Sequence, residues 1–318
     1  MGDSISTPEI DAARRDTRDA IAARGISVAE AARQSGIAQS TLAAWLNGKY
    51  AGDNARIAEQ ARTWLNHAKE QAQHRAATPV LPDFIATPTA ETILGTLMFA
   101  QTVPDIVLIT GGAGIGKTTA LEQYRATHPN VWMHTAEPAG ASMNAMLEGI
   151  CEAMGIRTIT TRRSPAILGR AKGSGGLLIV DEAQHLRSEA LDQLRTIHDV
   201  ARIGIAVAGN SEVFARIDGD SRHGLFAQFR SRVGMRVARQ KPLAGDVEAL
   251  LDATGVAGAA ERRLLRVIAG KPGALRGMAK TLRVAAIIAA AEGGEITEAH
   301  LRAAAARLYD HGGAAEAS

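Results

Sequence analysis

The chain has 318 residues, which is enough for two or three domains, one of them with a large core. Its net charge of +3 excludes a polycation, so any nucleic-acid contact must come from local basic patches. Apolar residues make up 46% of the chain and aromatic residues only 3%, so alanine supplies much of the apolar content and favours helices. The single cysteine, Cys151, excludes an intrachain disulfide and fits a reducing compartment.

No membrane segment or signal peptide is expected. The N-terminus is polar and charged, and the longest apolar stretch, Val284 to Ala291, is too short to span a bilayer. The sequence therefore predicts a soluble, cytoplasmic protein.

Residues 1–75 predict a helix-turn-helix. Ser27 can cap a helix with Glu30 in its first turn, Gly36 allows a tight turn, and a second helix is expected from Gln39 to Leu46. The pattern resembles the Cro/C1-like class of phage repressors, and the alternative is a small helical protein-docking domain. In the DNA-binding interpretation the second helix presents Gln39, Ser40, Thr41 and the small Ala44 to a major groove. Gln, Ser and Thr side chains can bond base edges, and Lys49 beyond the helix can bond phosphate.

A proline-punctuated linker is expected over residues 76–89, because each proline removes a backbone donor and disfavours helix before it. Short apolar runs then alternate with helical patterns over residues 90–241, which predicts an α/β fold with a parallel sheet covered by helices. The expected strands are 105–110, 131–135, 177–181, 203–208 and 233–238. Residues 242–318 show only helical patterns, interrupted at Gly255, Gly270, Gly273 and Gly293–Gly294.

The first of these strands runs into a phosphate-binding motif. Gly111 to Thr118 fit G-x-x-x-x-G-K-[ST], the P-loop motif, between a strand and a helix, and this context points backbone N–H groups at one anion site. Lys117 is expected to reach the terminal phosphates of ATP, and Thr118 to hold Mg²⁺. The expected nucleotide-binding residues are Gly111, Gly112, Ala113, Gly114, Ile115, Gly116, Lys117, Thr118 and Thr119.

Polar residues at the ends of two later strands complete the expected site. Asp181 follows a buried apolar run and would hold the Mg²⁺ shell, while Glu182 would polarise an attacking water. Asn210 follows the next strand and would position that water, although asparagine is also a common turn residue.

Three arginines are candidates for contacts to the transferred phosphoryl group. Arg232, with Arg230 second, is the expected finger projected into a neighbouring subunit's site, because a guanidinium binds phosphate oxygens bidentately. The alternative is a solvated basic turn. Arg276 opens a helix in the C-terminal segment and could fold back over the bound nucleotide.

Two basic clusters are candidate DNA contacts, and both could equally be solvated surface. One is Arg162–Arg163, in an expected loop of the α/β segment. The other lies in the C-terminal helices, where residues 262–283 contain seven basic side chains and no acid, and Arg262, Arg263 and Lys280 are its chosen representatives.

The order of these motifs resembles the AAA+ ATPase superfamily. There Lys117 and Thr118 match Walker A, Asp181 and Glu182 Walker B, and Asn210 sensor 1. Arg232 matches the arginine finger and Arg276 sensor 2. With a helix-turn-helix in front, the whole chain resembles the phage Mu B transposition family. That resemblance implies an ATPase using ATP and Mg²⁺ that assembles as a helical filament or ring on double-stranded DNA. It also implies delivery of target DNA to a DDE transposase, at the nucleoid of a bacterial host.

Three other functions fit the same motifs. A helicase loader or replication initiator would bind a helicase or an origin. A nucleotide-switched transcription regulator would read one operator through its N-terminal domain. A scaffold ATPase would use its N-terminal helices to bind protein.

Overall fold

The computed structural model describes residues 6–77, 82–219, 227–292 and 294–309. The chain divides into two compact units, Met1–Thr78 and Pro79–Ser318, and each has its own hydrophobic core. Residues 78–81 of the predicted linker and Gly293 of the predicted C-terminal breaks lie outside the described residues.

The first unit contains the predicted helix-turn-helix. The Ser27 hydroxyl accepts a hydrogen bond from the Glu30 N–H at 3.2 Å, and Gly36 takes the left-handed φ of 70° that the tight turn requires. Leu42 and Trp45 of the second helix are fully buried in this unit's core. Its helices are α1 (Thr7–Ala23), α2 (Val28–Ser35), α3 (Gln39–Leu46) and α4 (Asn54–Ala77).

The second unit is built on a parallel five-stranded sheet. The strands are β1 (Ile106–Gly111), β2 (Val131–Thr135), β3 (Leu177–Asp181), β4 (Gly204–Gly209) and β5 (Val233–Arg239). Their order is β2-β3-β4-β1-β5, so β1 is central and β3 and β4 lie beside it. Each predicted strand is found within one residue of its predicted bounds. Strands β1, β3 and β4 are buried throughout, because helices cover both faces of the sheet.

Two groups of helices form the layers on the sheet. Alternate β1 residues point to opposite faces, so Val107 and Ile109 lie in one core and Ile106 and Leu108 in the other. Helices α5 (Pro88–Thr102) and α6 (Lys117–Thr127) supply the first core. Helices α7 (Met143–Ala153), α8 (Arg163–Ala171) and α9 (Ser188–Ala201) supply the second. Helices α10 (Ser211–Gly219) and α11 (Ala227–Arg230) precede β5. The α/β fold predicted from the sequence is confirmed.

The loop predicted at Arg162–Arg163 is wrong. Arg162 ends a short 3₁₀ turn and Arg163 is the first residue of α8. Pro165 was a usable signal, because proline is tolerated in the first turn of a helix, where its missing N–H has no partner to lose.

The C-terminal helices form a lid with its own core. They are α12 (Ala244–Ala253), α13 (Ala259–Ala269), α14 (Ala274–Ala291) and α15 (Glu298–Tyr309). A fully buried carboxylate, Asp246, joins this lid to the sheet domain. It accepts hydrogen bonds from the Thr89 N–H at 2.8 Å, the Thr89 hydroxyl at 2.6 Å and the Leu243 N–H at 2.7 Å. This link fixes the start of α12 against the start of α5.

Across the described ranges, no helix is both long enough and apolar enough to cross a membrane.

Candidate nucleotide-binding site

Three neighbouring strands bring the predicted ATPase residues to one edge of the sheet. Strands β3, β4 and β1 are adjacent and parallel, so their carboxyl ends meet. The P-loop follows β1, Asp181 and Glu182 stand at the end of β3, and Asn210 follows β4. Such an edge, where crossover connections diverge, is where open α/β sheets bind ligands.

The P-loop has the backbone of an anion cradle. Gly114 and Gly116 take positive φ values of 80° and 95°, which side-chain-bearing residues adopt at a cost. A Cβ atom on Gly114 would lie 2.0 Å from the Gly273 carbonyl oxygen, so only glycine fits where the loop meets the lid. Helix α6 begins at Lys117, and the first N–H groups of a helix lack partners within it. The loop therefore offers backbone donors to a phosphate.

Lys117 places a partly desolvated cation at this cradle. Its ammonium donates to the carbonyl oxygens of Gly111 at 2.9 Å and Gly112 at 3.0 Å. Burial lowers the pKa of Lys117, the nearby Asp181 and Glu182 carboxylates oppose that shift, and Arg276 adds to it. A cation that has already lost water interacts strongly with an incoming phosphate.

Thr118 and Asp181 supply oxygen atoms of the kind that Mg²⁺ prefers. The Thr118 hydroxyl donates to the Asp181 carboxylate at 2.7 Å, and Asp181 is 1% exposed. Proteins commonly bind Mg²⁺ through one or two such groups, with phosphate and water completing the shell. The pair fits that role, and across the described residues no cluster of three or more His, Cys, Asp or Glu offers an alternative metal site.

Glu182 and Asn210 are joined through a residue that the sequence reasoning missed. The Gln184 amide donates to one Glu182 carboxylate oxygen, and the Gln184 carbonyl oxygen accepts from the Asn210 N–H at 3.2 Å. The Asn210 side chain accepts from the Glu212 N–H at 2.9 Å and so also caps the turn into α10. No spacing rule singles out Gln184, because its importance comes from the folded turn.

The P-loop opens into a cavity of about 680 Å³, a volume suited to a nucleotide. Away from the phosphate cradle one part of its wall is apolar, formed by Phe84 and Ile85 ahead of α5 and by Leu250 and Leu275 of the lid. An aromatic and aliphatic lining suits a planar base. Sequence reasoning assigned Phe84 and Ile85 to the linker and missed their place at the cavity, since nothing in the local pattern marks a base pocket.

One face of α14 lines the same cavity with cations. Arg276, Lys280 and Arg283 are spaced four and three residues apart, which places them on one side of a helix. The Arg276 N–H donates to the Gly114 carbonyl at 3.3 Å, which ties this helix to the P-loop. Lys280, predicted as a DNA contact, therefore lies at the nucleotide cavity.

Arg232 lies at the amino-terminal end of the parallel strands, whereas the P-loop of the same subunit lies at their carboxyl-terminal end. It immediately precedes β5, which runs parallel to β1 and pairs Val233 with Ile106 and Arg239 with Gly111. One strand length of about 20 Å therefore separates Arg232 from the phosphate cradle of its own subunit. Its guanidinium bonds the Asp199 carboxylate at 2.6 Å. Burial works to raise the pKa of Asp199, but the hydrogen bond and charge of Arg232 outweigh it and lower that pKa. Arg230, the second candidate, ends α11 on the same approach to β5.

The predicted DNA-contact arginines differ sharply in their surroundings. Arg162 is exposed, whereas the Arg163 side chain is 13% exposed and pairs with Glu148 at 2.8 Å. In the lid Arg263 is exposed, whereas Arg262 bonds Glu248 at 2.9 Å and Asp252 at 2.8 Å. The acids that neutralise Arg262 come from α12. They lie outside residues 262–283, where every charged side chain is basic.

In the first unit the predicted DNA-facing side chains lie at the surface. Gln39 and Ser40 at the start of α3 are exposed, Thr41 and Ala44 are half-buried, and Lys49 beyond its end is exposed. The helix-turn-helix core therefore leaves the expected recognition positions available.

Comparisons with known proteins match both the sheet domain and the lid. Residues 101–217 match a family model described as an AAA domain. Residues 231–308 match the model described as Mu B transposition protein, C terminal.

Similar whole proteins come from phages and a prophage. The chain is 37% identical over 276 residues to the "ATP-dependent target DNA activator B" of Escherichia phage Mu, covering 86% of this chain and 87% of that protein. It is 35% identical over 235 residues to the "Mu-like prophage FluMu DNA transposition protein B" of Haemophilus influenzae, covering 73% and 81%. Among solved structures it is similar in fold to a chain of Drosophila ORC bound to DNA, with a TM-score of 0.53, 12% identity, and coverage of 75% and 65%.

Proposed function

We propose a function for this chain, which belongs to the Mu B transposition protein family: it binds ATP, oligomerises on duplex DNA with low sequence preference, and delivers that DNA to a DDE transposase. Hydrolysis of ATP would then release the assembly. The observation that carries the ATP-dependent part is the convergence of Lys117, Thr118, Asp181, Glu182 and Asn210 on one edge of the sheet. The names of the relatives, target DNA activator and DNA transposition protein, support the DNA-directed part.

The residues at the cavity suggest a division of labour in hydrolysis. Glu182 accepts the proton of the attacking water, and Asn210 orients that water beside the terminal phosphate. Lys117 and Arg276 neutralise charge on the phosphate oxygens from two sides. Thr118 and Asp181 would hold Mg²⁺, which when bound supplies further neutralisation of the phosphates.

The position of Arg232 supports a finger that acts on a neighbouring subunit. Its side chain cannot span one strand length to its own phosphates, so in this proposal the nucleotide that it contacts is bound by a second copy. In the single subunit Asp199 holds the guanidinium, and Arg195 bonds the same carboxylate at 3.1 Å. Asp199 therefore keeps a cationic partner when Arg232 turns to a phosphate.

A mixing experiment tests this arrangement. Arg232→Ala should keep ATP binding and lose hydrolysis by roughly 10³-fold, the usual effect of a finger supplied by a neighbouring subunit. Mixed with Lys117→Ala, which retains its finger but lacks bound nucleotide, it should recover part of the turnover at mixed interfaces. Co-assembly must be shown by size-exclusion chromatography. Co-assembled mixtures with no recovered turnover would contradict a finger that acts on a neighbouring subunit and would favour a structural role for Arg232, through its ion pair with Asp199.

For the DNA surface, we propose contacts from the exposed basic side chains rather than from the paired ones. Arg162, Arg263 and the exposed positions around α3 can reach phosphate without breaking an ion pair. Arg163 and Arg262 would each have to give up carboxylate partners first.

Neighbouring arginines make a matched test of that surface. ATP-bound protein should bind non-specific duplex DNA with affinity that falls steeply with salt, because each phosphate contact releases counterions. Arg162→Ala should reduce the slope of log affinity against log salt by about one, whereas Arg163→Ala should leave it unchanged. Tight binding to a single operator sequence, with weak binding elsewhere, would instead favour a transcription regulator.

A further inference from the structure

The turn that follows β3 places the side chain of Gln184 beside the carboxylate of Glu182, the proposed catalytic base. Glu182 adopts a left-handed backbone conformation, with φ 53° and ψ 35°, which side-chain-bearing residues rarely take. Its N–H donates to Asp181 at 2.9 Å, and its carbonyl accepts from the His185 N–H at 3.1 Å. Non-glycine residues in this conformation cluster at functional sites, where surrounding bonds hold them. The turn brings the side chain of residue 184 back beside the carboxylate of residue 182.

Gln184 then bridges two strand ends. Its amide NH₂ donates to the Oε2 atom of Glu182, while its Oε1 atom accepts from the Asn210 N–H at 3.2 Å. A side-chain amide carries NH₂ donors and an acceptor oxygen on separate atoms at the same end, so Gln184 can serve both partners at once. The bridge crosses from the end of β3 to the end of β4.

The backbone of β4 leaves room for this bridge. A Cβ atom on Gly209 would lie 2.6 Å from the Gln184 Oε1 atom and 2.7 Å from a Val213 methyl carbon. The absence of a side chain at Gly209 therefore lets the amide approach Asn210. Gln184, Glu182 and Asn210 all line the nucleotide cavity.

We propose that Gln184 is a positioning residue for ATP hydrolysis, which holds the Glu182 carboxylate in register with the Asn210 end of β4. The hydrogen bond to one carboxylate oxygen restricts the side-chain conformations of Glu182. The second oxygen is then directed to the water. The inference rests on the proposed hydrolytic function, in which Glu182 is the base. Gln184 itself touches neither phosphate nor water in this assignment, so it acts through Glu182.

Removing the amide should slow chemistry without weakening ATP binding. Gln184→Met keeps the length of the side chain but loses both the NH₂ donor to Glu182 and the oxygen that accepts from the Asn210 N–H, so Glu182 is no longer held against the end of β4. We expect kcat to fall about 10- to 100-fold with KM and ATP affinity unchanged, the size of loss typical for a misplaced catalytic group. Gln184→Glu keeps an acceptor for Asn210, but it replaces the donor by a carboxylate that faces Glu182. It should be at least as slow as Gln184→Met.

A matched control separates positioning from packing. Gln193 on α9 is another half-buried glutamine in the same domain, with its amide donating to Ser164 at 3.2 Å. Gln193→Met should leave kcat and KM at the wild-type values. In a Glu182→Gln background, Gln184→Met should cause no further loss of hydrolysis, because it acts only through the base that is already removed.

The experiment measures steady-state ATP turnover, ATP affinity and melting temperature for these variants of the full chain, with and without duplex DNA. Low kcat, unchanged ATP affinity and no added loss in the Glu182→Gln background support the assignment. Wild-type turnover in Gln184→Met, an equal loss of affinity and kcat, or an added loss in that background overturns it. If wild-type protein binds ATP but hydrolyses none under any of these conditions, the hydrolytic function itself fails, and the inference fails with it.

Discussion

The two walls of the nucleotide cavity are assembled in different ways. The phosphate wall comes from three short segments, each directly after a strand: the P-loop, Asp181–Glu182 and Asn210. The opposite wall comes from Phe84–Ile85, from Leu250 and from one face of α14, which are far apart in sequence and follow no strand. The phosphate wall follows from the order of the strands, whereas the opposite wall is formed where the lid and the segment ahead of α5 pack near the P-loop.

That difference predicts how each wall responds to substitution. In the proposed function, groups on the phosphate wall act on the reacting phosphate, so their loss should change turnover or binding by orders of magnitude. Groups on the lid wall would contact the nucleotide from the far side, so their loss should cause a graded change in affinity. Lid residues outside the cavity should leave ATP affinity and turnover unchanged.

Glu182→Gln should have the largest effect. Glutamine fits the same space but cannot accept the water proton, so turnover should fall by roughly 10²- to 10⁴-fold while ATP still binds. Single-turnover hydrolysis and equilibrium ATP binding, measured on the same preparation, check this. Normal turnover in Glu182→Gln would show that Glu182 is not the base. The largest effect predicted for the phosphate wall would then be absent.

Lys117→Met should come next, with ATP affinity reduced by about 100-fold or more, since a charge-assisted contact to the terminal phosphates is lost. Burial lowers the pKa of Lys117, which means that the fold penalises its charged form. Removing that cation should therefore leave the melting temperature of the nucleotide-free protein unchanged or slightly higher. Calorimetry with and without ATP measures both quantities. A lower melting temperature without ATP would mean that the lost affinity reflects damage to the fold.

The same contrast explains what the sequence could predict. Strand bounds, the helix-turn-helix and the residues of the phosphate wall follow from local patterns, because apolar runs, glycines and capping residues act on their own neighbourhood. Gln184 could not be predicted, because its role depends on a left-handed turn at Glu182. Phe84 was assigned to a linker for a related reason. The prolines around it indicate the local backbone conformation, but they do not indicate that Phe84 lines the nucleotide cavity.

Charge clustering in the sequence was the least informative pattern. The basic residues of α13 and α14 form one run in the sequence, yet the fold separates them into two groups. Arg262 and Arg266 pair with Glu248 of α12, whereas Arg276, Lys280 and Arg283 line the cavity. A sequence window cannot contain a carboxylate that arrives from another helix, so it overstates the net charge of a face.

Lys280→Ala tests the lid wall directly. Loss of one charged contact to the nucleotide should weaken ATP affinity about 10-fold and leave the salt dependence of DNA binding unchanged. Arg263 is an exposed lid residue outside the cavity lining, so Arg263→Ala should leave ATP affinity unchanged and reduce the salt dependence of DNA binding. Titrations of ATP and of duplex DNA on both variants check the pair. If Lys280→Ala weakened only DNA binding, α14 would belong to the DNA surface rather than to the nucleotide cavity.

The smallest effect should come from Glu248→Gln, which breaks the ion pairs that hold α13 against α12. Hydrogen bonds from Arg266 and then Arg262 lower the pKa of Glu248 from its ordinary 4.5 to about 2. Because the folded-state pKa is the lower one, the stabilisation is complete above pH 4.5 and is lost as the pH falls toward 2. The pairs are largely exposed, so wild type should exceed Glu248→Gln by only about 2 °C or less in melting temperature near neutral pH. That difference should shrink on acidification, and Glu295→Gln, another exposed lid glutamate, is the matched control. A difference that persists unchanged at pH 3 would mean that packing, rather than the charge of Glu248, holds these two helices together.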